Sequence, residues 1–220
     1  MDRLRVGVLI SGRGSNLQAL IDAAADPGFP ATIALVISNN PEAAGLSRAQ
    51  HAGIPQRVIA QARREAFAAE AHHALRGAGI GLVALAGFMR ILDSGFVELW
   101  RDRLINIHPS LLPAFAGLHA QRQALHAGVR FAGCTVHFVR PEVDTGPIVA
   151  QAVVPVEPDD DEARLADRIL AAEHRLYPMA VRLFAEKRLS IDDGRVRIAG
   201  AVAPQFAAFN PTEPLASRAG

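Results

Sequence analysis

Three side chains of the sequence have the chemistry of an acyl-transfer site: an amide at Asn106, an imidazole at His108 and a carboxylate at Asp144. The first two lie in Asn106-Ile107-His108-Pro109-Ser110, which closes an apolar run, Arg103–His108, that reads as a strand. Residues two apart in an extended chain project to the same side, so the amide and the imidazole share a face. Asp144 lies in Val143-Asp144-Thr145-Gly146-Pro147, a turn in the segment between two further strands. A single histidine at a strand end is more often a hydrogen-bonded structural residue than a catalyst. The combination changes that weighting. An amide can stabilise the oxyanion of a tetrahedral adduct, an imidazole can carry protons near neutral pH, and a neighbouring carboxylate favours the imidazolium. The set suits transfer of an acyl group to an amine.

A second motif, Ser11-Gly12-Arg13-Gly14-Ser15-Asn16-Leu17, follows the first apolar run. Its glycines let the backbone turn so that amide N–H groups and a helix N-terminus face an anion. Ser15 and Asn16 can cap that helix or donate to phosphate oxygens. The plainer alternative is a tight turn with a capping serine. The loop departs from the dinucleotide fingerprint, because Leu17 stands where the third glycine belongs and the second strand ends in Ser38-Asn39-Asn40 without an acid for a ribose. It lacks the Gly-Lys-Ser/Thr of a P-loop as well. A site for a single phosphate, as in a mononucleotide or ribose phosphate, remains.

The elements that must position these groups are legible in the alternation of the chain. Arg5–Ile10, Thr32–Ser38, Gln56–Ile59 and Gly81–Ala86 read as buried strands, separated by helices at Asn16–Ala25, Pro41–Ala52 and Arg64–Arg76. That order predicts an α/β fold: a Rossmann-like, open, mostly parallel sheet with helices on both faces. Open sheets of this kind place ligands at the carboxyl ends of their strands, where Asn106 and His108 fall. Phe131–Val139 and Ile148–Val156 read as a pair of longer strands. Asp161–Phe184 carries apolar residues at helical spacing, forming a long C-terminal helix that Pro178 is expected to kink or divide. Arg188–Ile191 and Arg195–Ile198 flank Asp192-Asp193-Gly194, a hairpin signal. Residues 1–202 are read as a single domain, and 203–220, with Pro204, Pro211 and Pro214, as an irregular, loosely packed tail.

Composition narrows the function classes. The chain has 220 residues, half of them hydrophobic (50%), with 23 basic and 22 acidic side chains for a net charge of +1. That is ample for a sizeable core and offers no electrostatic footprint for nucleic acid and no polybasic anchor for a membrane. The apolar run after Met1 is too short for a signal peptide, and no stretch approaches membrane-spanning length, so a cytoplasmic location is expected. One cysteine, Cys134, excludes an internal disulfide and a thiolate zinc cluster. Alternation puts it on a core face with Ala132, Val136 and Phe138, and His137 on the other side with Thr135. His72 and His73 read as surface residues, and no metal site is expected.

At the motifs the sequence resembles the glycinamide ribonucleotide formyltransferases, folate-dependent enzymes of purine biosynthesis. The matching text is Val8–Gln18, Leu85–Leu92, Asn106–Pro113, Gly117-Leu118-His119, Val136-His137-Phe138 and Asp144-Thr145-Gly146-Pro147, with Glu173-His174 and Tyr177-Pro178. The resemblance implies transfer of the formyl group of 10-formyltetrahydrofolate to the amine of glycinamide ribonucleotide. It implies that Asn106, His108 and Asp144 do the chemistry and that Gly14, Ser15 and Asn16 hold the substrate phosphate. It further assigns Glu173 to the ribose or amine of the nucleotide, and Met89, Arg90, Ile91 and Leu92 to the folate pocket, with Arg64 nearby and Asn106 shared. His137 is implied as a supporting residue behind them. Departures fall at Ala114 and Ala116, where many relatives carry lysine and a second proline, and at Gln121, often histidine. None removes a reacting group.

Rival readings are weaker. A nucleotide-binding module or dehydrogenase lacks its glycine and acid here. An initiator-tRNA formyltransferase usually carries a further basic C-terminal domain, and a formyltetrahydrofolate deformylase carries a regulatory domain before its catalytic one; neither is expected from this chain. A noncatalytic interaction protein would not need Asn, His and Asp together. The expected partners are the two small molecules, with the assembly left open between monomer and homodimer.

Overall fold

Strands that are apolar on both faces belong in the middle of a parallel sheet, and such runs build the centre of this molecule. The computed structural model describes residues 2–203, 205 and 207–211. Strands β1 (Leu4–Ile10), β2 (Ala31–Ser38), β3 (Gln56–Val58), β4 (Leu82–Leu85) and β5 (Leu104–His108) pair in parallel in the order β3-β2-β1-β4-β5. Helices α1 (Ser15–Ala25), α2 (Gly45–His51), α3 (Arg64–Gly77) and α4 (Ser94–Leu99) make the crossovers. After α5 (Ala120–His126), two antiparallel strands extend the sheet to seven: β6 (Phe131–Phe138) beside β5, and β7 (Ile148–Pro155) at the edge. The long helix α6 (Glu162–Ala185) and a hairpin of β8 (Leu189–Asp192) and β9 (Arg195–Ile198) complete the fold.

Alternation along the strands divides the apolar side chains between two cores. Val6, Val8 and Ile10 of β1 and Leu82 and Ala84 of β4 join α1 and α6 in one; Leu9, Val83 and Leu85 join α3 and α4 in the other. In β5, Ile105 and Ile107 belong to the α6 side, which turns Leu104, Asn106 and His108 toward the α3/α4 side. In β6, Ala132, Cys134, Val136 and Phe138 belong to the α6 side, which turns Thr135 and His137 the same way as Asn106. Over this part of the sheet the segment 109–119 packs in place of a helix. Buried Thr135 secures it, donating from Oγ1 to the Ser110 carbonyl (2.7 Å) and accepting the Leu112 N–H (3.0 Å), while Gln151 Nε2 donates to the Leu112 carbonyl (2.9 Å).

The structure differs from the sequence reading in several places. Helix α2 is shorter than Pro41–Ala52 because a turn at 41–42 precedes it. The short helices α4 and α5 carry too little periodicity to stand out in sequence. Pro178 does not divide α6, which runs unbroken from Glu162 to Ala185 and packs on α1 and the sheet. In the hairpin, Asp193 (φ 47°) and Gly194 (φ 70°) are both left-handed, as a two-residue type I′ turn requires. Of the tail, Pro204 and Pro214 lie outside the described residues, whereas half-buried Asn210 donates to the carbonyls of Arg130 and Val156 at the start of β6 and just past β7. His72 is half-buried with its ring edge-on to Trp100 (5.9 Å), not simply a surface residue. Burial pushes the Cys134 thiol up to about 12, the behaviour of an inert core residue. No helix among the described residues is long and apolar enough to cross a membrane.

Candidate active site

The loop after β1 owes its shape to close backbone contact. Gly14 is left-handed (φ 70°), and a Cβ there would come within 2.6 Å of Gly45 Cα at the start of α2. The Gly45 N–H donates to the Gly12 carbonyl (3.0 Å), and Arg48 Nε donates to the Arg13 carbonyl (2.9 Å), so α2 grips the loop from behind. The first-turn amides of α1, on Ser15, Asn16 and Leu17, are left without helical acceptors. The side chain of Asn16 caps nothing. It is 8% exposed and donates from Nδ2 to Glu173 Oε2 on α6 (2.7 Å), while its Oδ1 has no partner among the described residues. One amide N–H of Asn16 is thereby committed to Glu173.

Ser11 ties this loop to its neighbours. Its hydroxyl donates to Asn39 Oδ1 after β2 (2.6 Å) and accepts the Met89 N–H after β4 (2.8 Å). Met89 is 68% exposed and Ile91 54%, so neither is a core residue, and both stand at the rim of the cavity described below. Arg90 turns its guanidinium away, donating to the carbonyls of Gln61 and Ala62 and lying over the Phe67 ring.

Asn106, His108 and Asp144 come together over β5 and β6. The β6–β7 connection leaves beside Leu104, whose carbonyl accepts the Val139 N–H (2.9 Å), and then folds back across the sheet. Gly146 permits the return, since a Cβ there would overlap the Phe138 carbonyl oxygen at 1.6 Å. Asp144 is carried back with it, in a left-handed conformation (φ 57°), with its side chain largely buried. Its Oδ2 lies 3.4 Å from His108 Nδ1 and accepts the Gly117 N–H (2.8 Å); its Oδ1 lies 3.7 Å from His137 Nε2. His108 Nε2 is 3.1 Å from the Phe115 carbonyl, so the 109–119 segment touches both the imidazole and the carboxylate. Within that segment Ser110 donates to the Ala114 carbonyl, and Gln123 donates to the carbonyls of Ala116 and Leu118.

His137 completes the cluster. Strand register sets it opposite Asn106, and its Nδ1 lies 3.0 Å from the Phe138 carbonyl while its Nε2 lies 3.3 Å from Asn106 Nδ2. A carbonyl can only accept, so Nδ1 carries the proton and Nε2 accepts from the amide. Burial holds the His137 imidazole below its ordinary value, opposed by the Phe138 carbonyl and then by Asp144. The ring is neutral in the neutral range, and it leaves the second N–H of Asn106 free for a ligand. Glu173, 6% exposed, is pushed above the ordinary carboxylate range by burial, against the hydrogen bond from Asn16.

All these groups line one cavity of about 680 Å³. Gly14, Ser15, Asn16, the Met89–Leu92 stretch, Asn106, His108, Asp144 and Glu173 all contribute to it, as do His137 and Gln121. Arg64 does not: it is exposed in the first turn of α3, outside the lining. His137 was legible in sequence only as a supporting residue, because its bond to Asn106 depends on the antiparallel register.

Fold and site together are a Rossmann-like open sheet that carries an amide, two imidazoles and a carboxylate in one cavity with a glycine-rich loop at the start of a helix. The model of the formyl transferase family matches residues 4–181. Phosphoribosylglycinamide formyltransferase of Escherichia coli (strain K12) is 44% identical over 200 residues, 90% of this chain and 94% of the bacterial protein. The trifunctional purine biosynthetic protein adenosine-3 of Drosophila melanogaster is 56% identical over 186 residues, 82% of this chain, and the chain spans only 14% of that protein. Among solved structures, glycinamide ribonucleotide transformylase 1 from Symbiobacterium toebii aligns with a TM-score of 0.87 and 51% identity, covering 90% of this chain and 94% of that one. The chain belongs to the formyl transferase family.

Proposed function

We propose that this protein transfers the formyl group of 10-formyltetrahydrofolate to the amine of glycinamide ribonucleotide, giving formylglycinamide ribonucleotide and tetrahydrofolate in purine biosynthesis. The observation that carries the reading is the 3.4 Å approach of Asp144 to His108 beside Asn106, in one cavity with the glycine loop. Gly14, Ser15 and Asn16 hold the substrate phosphate through backbone amides at the start of α1. Glu173 accepts from the ribose hydroxyls or amine, and the rim at Met89, Arg90, Ile91 and Leu92 receives the pterin through its backbone edge. Arg64, exposed at the start of α3, serves at most the outer end of the folate.

The chemistry follows from the groups present. As the substrate nitrogen bonds to the formyl carbon, the free N–H of Asn106 stabilises the oxyanion on the formyl oxygen. His108 takes part in moving a proton from the attacking nitrogen to the departing folate nitrogen, whose bond to the formyl carbon breaks. Asp144, against Nδ1, fixes the orientation of the ring in that passage. The protein works in the cytoplasm as a monomer or homodimer, with small molecules and neither nucleic acid nor membrane as partners. An absorbance assay with 10-formyltetrahydrofolate or a dideaza analogue tests the reading. Turnover must require glycinamide ribonucleotide, and release of the folate product without it contradicts the assignment.

A further inference from the structure

The cavity lining holds more acidic than basic side chains, with Glu162 paired to Arg122 outside it and Glu173 pushed toward its neutral form by burial. Its lining carries five carboxylates, on Glu142, Asp144, Glu162, Asp167 and Glu173, against three guanidinium groups, on Arg13, Arg90 and Arg140. A phosphate monoester adds up to two more negative charges, and backbone amides supply only partial positive charge. Two of the three arginines are engaged elsewhere. Arg90 is held by the Gln61 and Ala62 carbonyls, and Arg140 pairs with Asp102 at 2.7 Å. The guanidinium of Arg13 has neither a hydrogen-bond nor an ion-pair partner among the described residues, although its own backbone is fixed by Arg48. It is an unengaged cation on a pinned loop, next to the first-turn amides of α1.

We propose that Arg13 is a specificity-determining residue that recognises the phosphate of the substrate. Its guanidinium closes on phosphate oxygens already held by the amides of Gly14, Ser15 and Asn16, in the two-pronged geometry that suits arginine and not lysine. The inference rests on reading the Gly12–Asn16 loop as the phosphate site. It adds the residue that supplies full charge there and makes the enzyme prefer a ribonucleotide to the corresponding riboside.

Arg13 is exposed, so Arg13→Gln leaves the core and the Arg48 contact with the main chain in place. Steady-state kinetics of the full chain are measured with glycinamide ribonucleotide and with glycinamide riboside, which lacks the phosphate. Arg13→Gln should lower kcat/KM for the ribonucleotide about tenfold or more, mainly through KM, as expected for one charge-assisted pair. Values for the riboside and the folate KM should not change, and Arg13→Lys should recover only part of the loss. Equal losses on both glycinamide substrates, a loss confined to the folate KM, or no loss overturns the proposal. Titration calorimetry with ribose 5-phosphate supplies a readout independent of formyl transfer. The wild type should bind it about tenfold or more tightly than Arg13→Gln, and equal binding overturns the Arg13 role. A wild type that binds ribose 5-phosphate in this Arg13-dependent way without formylating the ribonucleotide leaves the Arg13 role standing and removes the proposed reaction instead.

Discussion

Asp144 reaches His108 from a different strand connection, with its carboxylate 3.4 Å from the imidazole Nδ1 and held there by the Gly117 N–H. If the pair works as one unit, its losses will not multiply. Asn accepts a left-handed backbone as Asp does, so Asp144→Asn tests charge without disturbing the turn at φ 57°. Asp144→Asn and His108→Ala should each slow kcat severely with little change in substrate binding. The double variant should be hardly slower than the worse single one. Multiplicative losses would separate the two residues.

His137 is expected to act by orienting Asn106. His137→Leu removes the acceptor and should lower kcat while leaving both KM values near those of the wild type. His137→Gln restores an acceptor and should recover part of the rate. Burial holds the His137 imidazole below 6.5, so the unfolded chain takes up this proton more readily than the folded one. Stability should therefore fall as pH drops from 6.5 toward the folded value. Melting curves between pH 5 and 7 should show a weaker acid dependence for His137→Gln than for the wild type, and parallel curves would contradict a buried neutral ring.

Glu173 gives the opposite sign. Its carboxyl lies above the ordinary 4.5 in the folded state, so the folded chain binds the extra proton and loses stability as pH rises from 4.5 through the folded value. Above that window the ionised, buried carboxylate remains a cost. Glu173→Gln keeps an acceptor for Asn16 and should raise the Tm at neutral pH, by an amount that shrinks toward pH 4.5. The same change should raise the ribonucleotide KM. A lower Tm at neutral pH would show that the charged form is well compensated.

At the proposed folate rim, Ser11 holds the Met89 N–H at 2.8 Å and Asn39 at 2.6 Å. Ser11→Ala should raise the folate KM more than it lowers kcat. At the rim, Ile91→Ala should be mild, whereas Ile91→Pro, which deletes a backbone donor, should abolish folate binding. Normal folate binding by the proline variant, measured by fluorescence titration, would defeat backbone recognition there.

Local patterns made much of this legible in the sequence. The runs around Val8, Ile37 and Val83 are apolar on both faces and separated by alanine-rich helices, so the parallel half of the sheet could be read directly. Asn106 and His108 are two residues apart on one strand, and their shared face follows from strand geometry alone. The rest depended on distant pairings. His137 meets Asn106 only because β6 runs antiparallel to β5 in one particular register. Asp144 required the backward fold of its connection, and the Asn16 side chain was drawn off by Glu173, 157 positions away in sequence. Arg64 was placed by resemblance, and the exposed first turn of α3 leaves it outside the cavity.

Following an isotopically labelled formyl carbon by NMR separates transfer from hydrolysis, with wild type and Asn106→Ala side by side. The wild type should move the label from the folate to the amine of glycinamide ribonucleotide, and Asn106→Ala should do so on the order of a hundredfold more slowly. Label appearing as free formate would rule out transfer to the amine, and an undiminished rate in Asn106→Ala would rule out its amide as the oxyanion donor.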